Sequence, residues 1–215
     1  MKIIFLGDSI TEGAGASRPE NTYVSIVEKT LGIECLNYGI GGTRFARQKE
    51  LHCNCVQFNY DFNMRFEILP DADFLVCLGG TNDFGHGTAP LGEYNSENVW
   101  TFHGATNLLF RNLSNKYGKS KILIVLPLPR IDEENDKGEF FIAKPAGSPK
   151  MSVYADIIKM YAEKYGLHVA DFRKQFGTPN TRNNEGLFFD GLHPNDSGHA
   201  LLAKLICKEI NNLIK

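Results

Sequence analysis

Apolar residues fall along this chain in two rhythms. Short runs that are apolar or β-branched, bounded by turn residues, occupy Lys2 to Leu6, Glu34 to Tyr38, Asp73 to Leu78, Lys121 to Leu126 and Leu167 to Phe172. Runs of that length and composition predict five buried strands. Between them, Tyr23 to Leu31, Val99 to Tyr117 and Met151 to Tyr165 carry apolar residues at helical spacing, and the last two stop at Gly118 and Gly166, just past a basic final turn. Asn195 is placed to cap a last amphipathic helix whose stripe is Leu201, Leu202, Leu205, Ile206 and Ile210.

Strand and helix alternating in this way predict a parallel sheet, because parallel neighbours need crossover connections and right-handed crossovers place helices on its faces. The expected fold is α/β: a single three-layer α/β/α domain over residues 1–215 with a five-stranded parallel sheet. Gly79 to Asn98 and Arg130 to Pro149 lack regular periodicity. Both leave the carboxyl ends of predicted strands, where long loops tend to carry function. No internal repeat, low-complexity tract or linker divides the chain.

Charge narrows the function. The chain has 23 Lys plus Arg against 25 Asp plus Glu, a net of −2, with the signs interspersed. Without a basic stripe, dedicated binding of nucleic acid or of an anionic membrane is disfavoured. The amino-terminal apolar run, Ile3 to Leu6, is too short for a secretion signal, and no stretch is long enough for a membrane anchor. The five cysteines, Cys35, Cys53, Cys55, Cys77 and Cys207, form an odd set in a chain large enough to fold without disulfides. That points to a reducing compartment, and the expected location is cytoplasmic.

In open α/β sheets the ligand crevice lies beyond the carboxyl ends of the strands. The residues there are Gly7-Asp8-Ser9-Ile10-Thr11 after the first run, Asn37-Tyr38-Gly39-Ile40-Gly41-Gly42-Thr43 after the second and Gly79-Gly80-Thr81-Asn82-Asp83 after the third. Asp190-Gly191-Leu192-His193-Pro194-Asn195 precedes the last helix. Acyl transfer needs a nucleophile, a base, a carboxylate to orient the base and donors for the oxyanion; Ser9, His193, Asp190 and the region of Gly42 and Asn82 supply those types. The three-residue spacing of Asp190 and His193 lets one bend bring the carboxylate to the imidazole. A G-x-S-x-G elbow is absent around Ser9.

These four segments resemble, in order and across nearly the whole chain, the blocks of the SGNH, or GDSL-type, esterase family. The resemblance makes Ser9 the nucleophile, with Ile10 in place of the leucine that gives the family one of its names. It makes Asp190 and His193 the orienting acid and the base, and Ser9 N–H, Gly42 N–H and the Asn82 amide the oxyanion hole, with Gly41 open as an alternative to Gly42. It implies a metal-independent, cofactor-free serine esterase acting on a small-molecule ester. Small acyl groups, acetylated sugars included, are favoured because no extended apolar loop suits a long chain. Lysophospholipase, thioesterase and acyltransferase activities are variants on the same site.

Each residue also has a plainer role to be weighed. Ser9 could cap a helix, Gly39, Gly41 and Gly42 could line a phosphate turn, and Asn82 could close its own loop. A rival of another class is a flavodoxin-like nucleotide- or flavin-binding module, in which the loop after the first strand binds phosphate; it explains Ser9, Thr11 and the early glycines but gives no role to Asp190 or His193. His199, at helical spacing, reads as a packed histidine. His52, Cys53 and Cys55 cluster without a familiar zinc spacing, so no metal is expected. Cys77 reads as strand filling. His86, Tyr94, Trp100, Phe102 and His103 crowd the third rim loop and the helix after it, and Trp100 is suited to stack on a sugar ring.

Overall fold

The computed structural model describes residues 1–49, 59–134, 148–180, 183 and 185–214. Its centre is a five-stranded parallel sheet formed by β1 (Lys2–Gly7), β2 (Glu34–Gly39), β3 (Phe74–Leu78), β4 (Ile122–Val125) and β5 (His168–Ala170). The spatial order is β2-β1-β3-β4-β5. β1 thus lies between β2 and β3, and Gly7 at its end is level with Gly39 on one side and Leu78 on the other. The loops leaving those three positions emerge on one rim.

Side-chain alternation explains why both faces are covered. Along β1, Ile4 and Leu6 join one apolar cluster, which takes in Leu109 and Phe110 of α5 (Phe102–Tyr117) and Ile158 and Tyr161 of α6 (Met151–Lys164). Ile3 and Phe5 join the opposite cluster, with Val27 of α2 (Tyr23–Leu31) and Leu202, Ile206 and Ile210 of α8 (Asp196–Leu213). Three layers result, as the two-sided apolar character of the runs requires. Fully burying each such side chain contributes roughly 1.5–3 kcal/mol.

The helices α2, α5 and α8 begin where short polar side chains can take up free backbone N–H groups. Thr22 accepts from Ser25 N–H, Thr101 from Gly104 N–H and Asn195 from Gly198 N–H. The Thr101 cap is why α5 begins at Phe102 and not at Val99. Shorter helices lie at α1 (Ser9–Glu12), α3 (Phe62–Phe66), α4 (Thr81–Gly85) and α7 (Arg173–Phe176).

Two expectations need correction. Only β1, β3 and β4 are buried strands; β2 and β5 are half-exposed, because they form the two edges of the sheet. The stretch after β3 is not wholly irregular either, since α4 begins at once behind Gly80. Much of the stretch between Arg130 and Pro149 lies outside the described residues, as do His52, Cys53 and Cys55.

Candidate active site

Ser9 is the first residue of α1, directly behind the end of β1. Asp8 caps that helix, its Oδ1 accepting the Ile10 N–H at 3.0 Å. A first-turn residue has no intrahelical partner for its own N–H, so Ser9 brings both a hydroxyl and a backbone donor to the rim. Asp8 is fully buried beneath it and its Oδ2 has no hydrogen-bond partner among the described residues. Burial pushes the Asp8 carboxyl up to about 6, against the opposing pull of the Ile10 N–H and of the charges of His193 and Arg65.

His193 reaches Ser9 from the far end of the chain: its Nε2 lies 2.9 Å from Ser9 Oγ. Its Nδ1 lies 2.7 Å from Asp190 Oδ2. Asp190 Oδ1 meanwhile accepts the backbone N–H groups of Leu192, at 3.0 Å, and His193, at 2.8 Å. Burial alone would raise the Asp190 pKa, but the hydrogen bonds from the His193 ring, the His193 N–H and the Leu192 N–H outweigh it and hold the carboxyl at about 2. An ionised carboxylate accepts only, so the imidazole proton belongs on Nδ1 and Nε2 is left to accept from the Ser9 hydroxyl. The loop is closed by Phe189 N–H donating to His193 O at 2.8 Å and seated by Ile131 N–H donating to Gly191 O at 2.8 Å.

The loop behind β2 supplies the next part of the rim. Gly41 donates its N–H to Glu12 Oε2 at 2.9 Å, and a Cβ at Gly41 would come within 3.6 Å of Ser9 Cβ. Gly42 takes a positive φ of 72°, and its N–H has no partner among the described residues. The two glycines therefore differ: one N–H is engaged and the other is available.

Behind this loop stands Arg65. It is buried, donates to Thr43 Oγ1 at 2.8 Å, to Gly7 O at 2.9 Å and to Tyr38 O, and so ties the ends of β1 and β2 to the glycine loop. Burial pulls its pKa down to about 10, although Asp8 opposes the shift.

Asn82 lies in α4, behind β3, and is buried. Its Nδ2 donates to Thr43 O at 3.0 Å and its Oδ1 lies 3.0 Å from His86 Nε2. Asp83 beside it accepts from Phe45 N–H and Ala46 N–H, each at 2.9 Å, which fixes the following part of the same loop to α4.

The structure thus brings Ser9, His193 and Asp190 into one hydrogen-bonded line. It sets the glycine loop against Ser9 and couples Asn82 to that loop. His199 is buried elsewhere, accepting from Tyr23 N–H and facing Ala14 O at 3.1 Å, while Cys77 is fully buried in β3. Trp100 and Tyr94 are exposed, with Arg47 over the Trp100 ring, and Phe102 is in the core. Sequence reading assigns no role to Glu12, Arg44, Arg65 or Asp83. The available signal is charged residues beside glycine-rich strand ends, which is weak because it does not distinguish a buried clamp from a solvated side chain.

Ser9, His193 and Asp190 thus stand in line at the rim of a three-layer α/β/α sheet, and the comparisons with known proteins define the class to which this fold belongs. Residues 5–201 match the GDSL-like Lipase/Acylhydrolase family, and the chain belongs to it, a carboxylic ester hydrolase. No curated protein matches the sequence. Among solved structures, a protein from Lactobacillus plantarum is 23% identical with a TM-score of 0.78, covering 98% of this chain and 96% of its own. An acetyl xylan esterase is 24% identical with a TM-score of 0.67, covering 98% and 100%. A carbohydrate acetylesterase family member from Sinorhizobium meliloti is 19% identical with a TM-score of 0.68, covering 99% and 98%. At these identities the likeness is one of fold. No described helix is long and apolar enough to cross a membrane.

Proposed function

We propose that the protein hydrolyses carboxylic esters of small acyl groups, acetylated sugars among them, by a Ser9-His193-Asp190 triad and an acyl-enzyme. The observation that carries this reading is the unbroken line Ser9 Oγ, His193 Nε2, His193 Nδ1, Asp190 Oδ2, with contacts of 2.9 and 2.7 Å. A nucleotide-binding loop would not require it.

In the proposed cycle His193 Nε2 takes the Ser9 proton as Ser9 Oγ bonds to the ester carbonyl carbon, and the carbonyl electron pair moves onto oxygen. That oxyanion is held by Ser9 N–H, Gly42 N–H and the Asn82 amide. Gly42 is preferred to Gly41 because Glu12 already accepts the Gly41 N–H. His193 then gives its proton to the leaving alcohol as the C–O bond breaks, and water repeats the sequence on the acyl-enzyme. Asp190 holds the imidazole in the tautomer that accepts from serine and stabilises the cation formed during transfer.

Small acyl groups are favoured by the lack of an extended apolar loop in the sequence, and the acetylesterases of the same fold are consistent with this preference. The test is a panel of esters graded in acyl length, with acetylated sugars included and the released acid measured. Acetate esters should be turned over best. A maximum at long acyl chains would replace the substrate assignment, and acyl transfer to an added alcohol in preference to water would replace hydrolysis.

A further inference from the structure

Asn82 is held by a buried chain of polar groups that begins 38 residues away in sequence. Arg44 Nη1 lies 3.0 Å from His86 Nδ1, and His86 Nε2 lies 3.0 Å from Asn82 Oδ1. Asn82 Nδ2 in turn donates to Thr43 O at 3.0 Å. Arg44, His86, Asn82 and Thr43 are all buried, Arg44 being the largest side chain buried this completely.

The direction of every bond in the chain follows from what each group can do. A guanidinium only donates, so His86 Nδ1 accepts and the imidazole proton is on Nε2. That N–H faces Asn82 Oδ1, which must then be the carbonyl end of the amide. Turning the amide over would set its NH2 against the His86 N–H and its oxygen against Thr43 O, two unfavourable contacts in a buried site. One amide N–H is thereby committed to Thr43 O. The second has no partner among the described residues.

We propose that His86, itself oriented by Arg44, is a positioning residue that locks the Asn82 amide with its second N–H presented to the oxyanion. The inference rests on the reading of Asn82 as an oxyanion donor. Its physical content is preorganisation: a donor already aimed in the ground state needs no reorganisation as charge develops, and a chain of hydrogen bonds in a low dielectric strengthens its terminal donor. The backbone supports the same end, since Asp83 fixes the segment after Arg44 to α4.

A double-mutant cycle on an acetate ester tests it. His86→Leu in the parent should lower kcat by about ten- to a hundredfold with KM little changed. In an Asn82→Ala background the same substitution should change kcat by less than about twofold, because the amide that His86 positions is gone. Equal losses in both backgrounds, or parental kcat for His86→Leu, overturn the inference and leave Asn82 in place. Parental kcat for Asn82→Ala alone removes the oxyanion reading, and the inference with it. Should His86→Leu fail to fold, His86→Gln and His86→Glu decide: they share a shape, but only glutamine keeps an N–H for Asn82 Oδ1. Glutamine should retain kcat within about threefold and glutamate should lose at least about tenfold. Equal rates for the two overturn the proposal.

Discussion

Ser17 and Asp196 are joined twice: Asp196 Oδ1 accepts the Ser17 N–H at 2.8 Å and Oδ2 accepts its hydroxyl proton at 2.6 Å. The pair fastens the loop behind α1, which carries Ser9, to the first turn of α8, three residues past His193. Close packing helps at the same place, since Gly15, with a φ of 89°, leaves no room for a Cβ against Pro194 O. The Ser9 to His193 distance is therefore set by contacts outside the line itself.

Asp196→Ala should lower kcat by up to about tenfold, because the two halves of the site lose their tie. The hydrogen bonds from Ser17 hold the Asp196 carboxyl below its ordinary value. Stability from such a group is present above the unfolded pKa and lost as pH falls through the folded one. The melting temperature of the variant should thus trail the parent at pH 7 and draw level with it in acid. Melting curves at both pH values check this, and a gap that is constant with pH would contradict it.

Asp8 has the opposite sign. Its folded pKa, about 6, is above the unfolded value of 3.8, so its contribution favours folding below pH 3.8 and is lost as pH rises through 6. At neutral pH the buried carboxylate costs about 3 kcal/mol. Asp8→Asn keeps the oxygen that caps Ile10 N–H and cannot ionise. Between pH 4 and 7.5 its stability relative to the parent should improve by up to that amount, as read from denaturant midpoints. A difference independent of pH would show that Asp8 is not held above its ordinary range.

Asp190, held at about 2, stays ionised through the whole range in which an esterase would be assayed. A fall in kcat/KM between pH 4 and 8 therefore does not come from protonation of Asp190. Asp190→Asn preserves shape but accepts less well at Nδ1, and kcat should drop by roughly 10⁴. A variant within tenfold of the parent would remove Asp190 from the mechanism.

The glycine loop separates packing from chemistry. At Gly39 a Cβ would meet Glu12 N at 2.1 Å, a backbone atom that cannot give way, so Gly39→Ala should destabilise by about 2 kcal/mol or more. At Gly41 the close approach would be to Glu12 Oε2, at 2.8 Å, the end of a flexible side chain, with Ser9 Cβ at an ordinary 3.6 Å. Gly41→Ala should cost under about 1 kcal/mol while lowering kcat through the displaced Glu12. Thermal melts of the two variants should separate them clearly, and equal destabilisation would contradict the assignment.

Legibility in the sequence depends on how local the physics is. The central strands are legible because β1, β3 and β4 are apolar on both faces, and α2 because its apolar residues keep helical spacing. The burial of β2 is not, because ECLNY says nothing about which strand becomes an edge. α4 is hidden because Gly-Gly-Thr-Asn-Asp favours turns, and tertiary contacts to the loop at Phe45 and Ala46 override that preference. At the site, the pairing of Asp190 with His193 is legible from their spacing. The chain from Arg44 through His86 to Asn82 is not, because its first link spans 42 residues and leaves no periodic trace.

Attack of Ser9 on the ester carbonyl carries the proposed mechanism. Hydrolysis of a chromogenic acetate ester by Ser9→Ala, with melting temperature taken on the same sample, tests it most directly. The expected result is a folded protein whose kcat has fallen by at least about 10⁴. A folded variant within tenfold of the parent would contradict it.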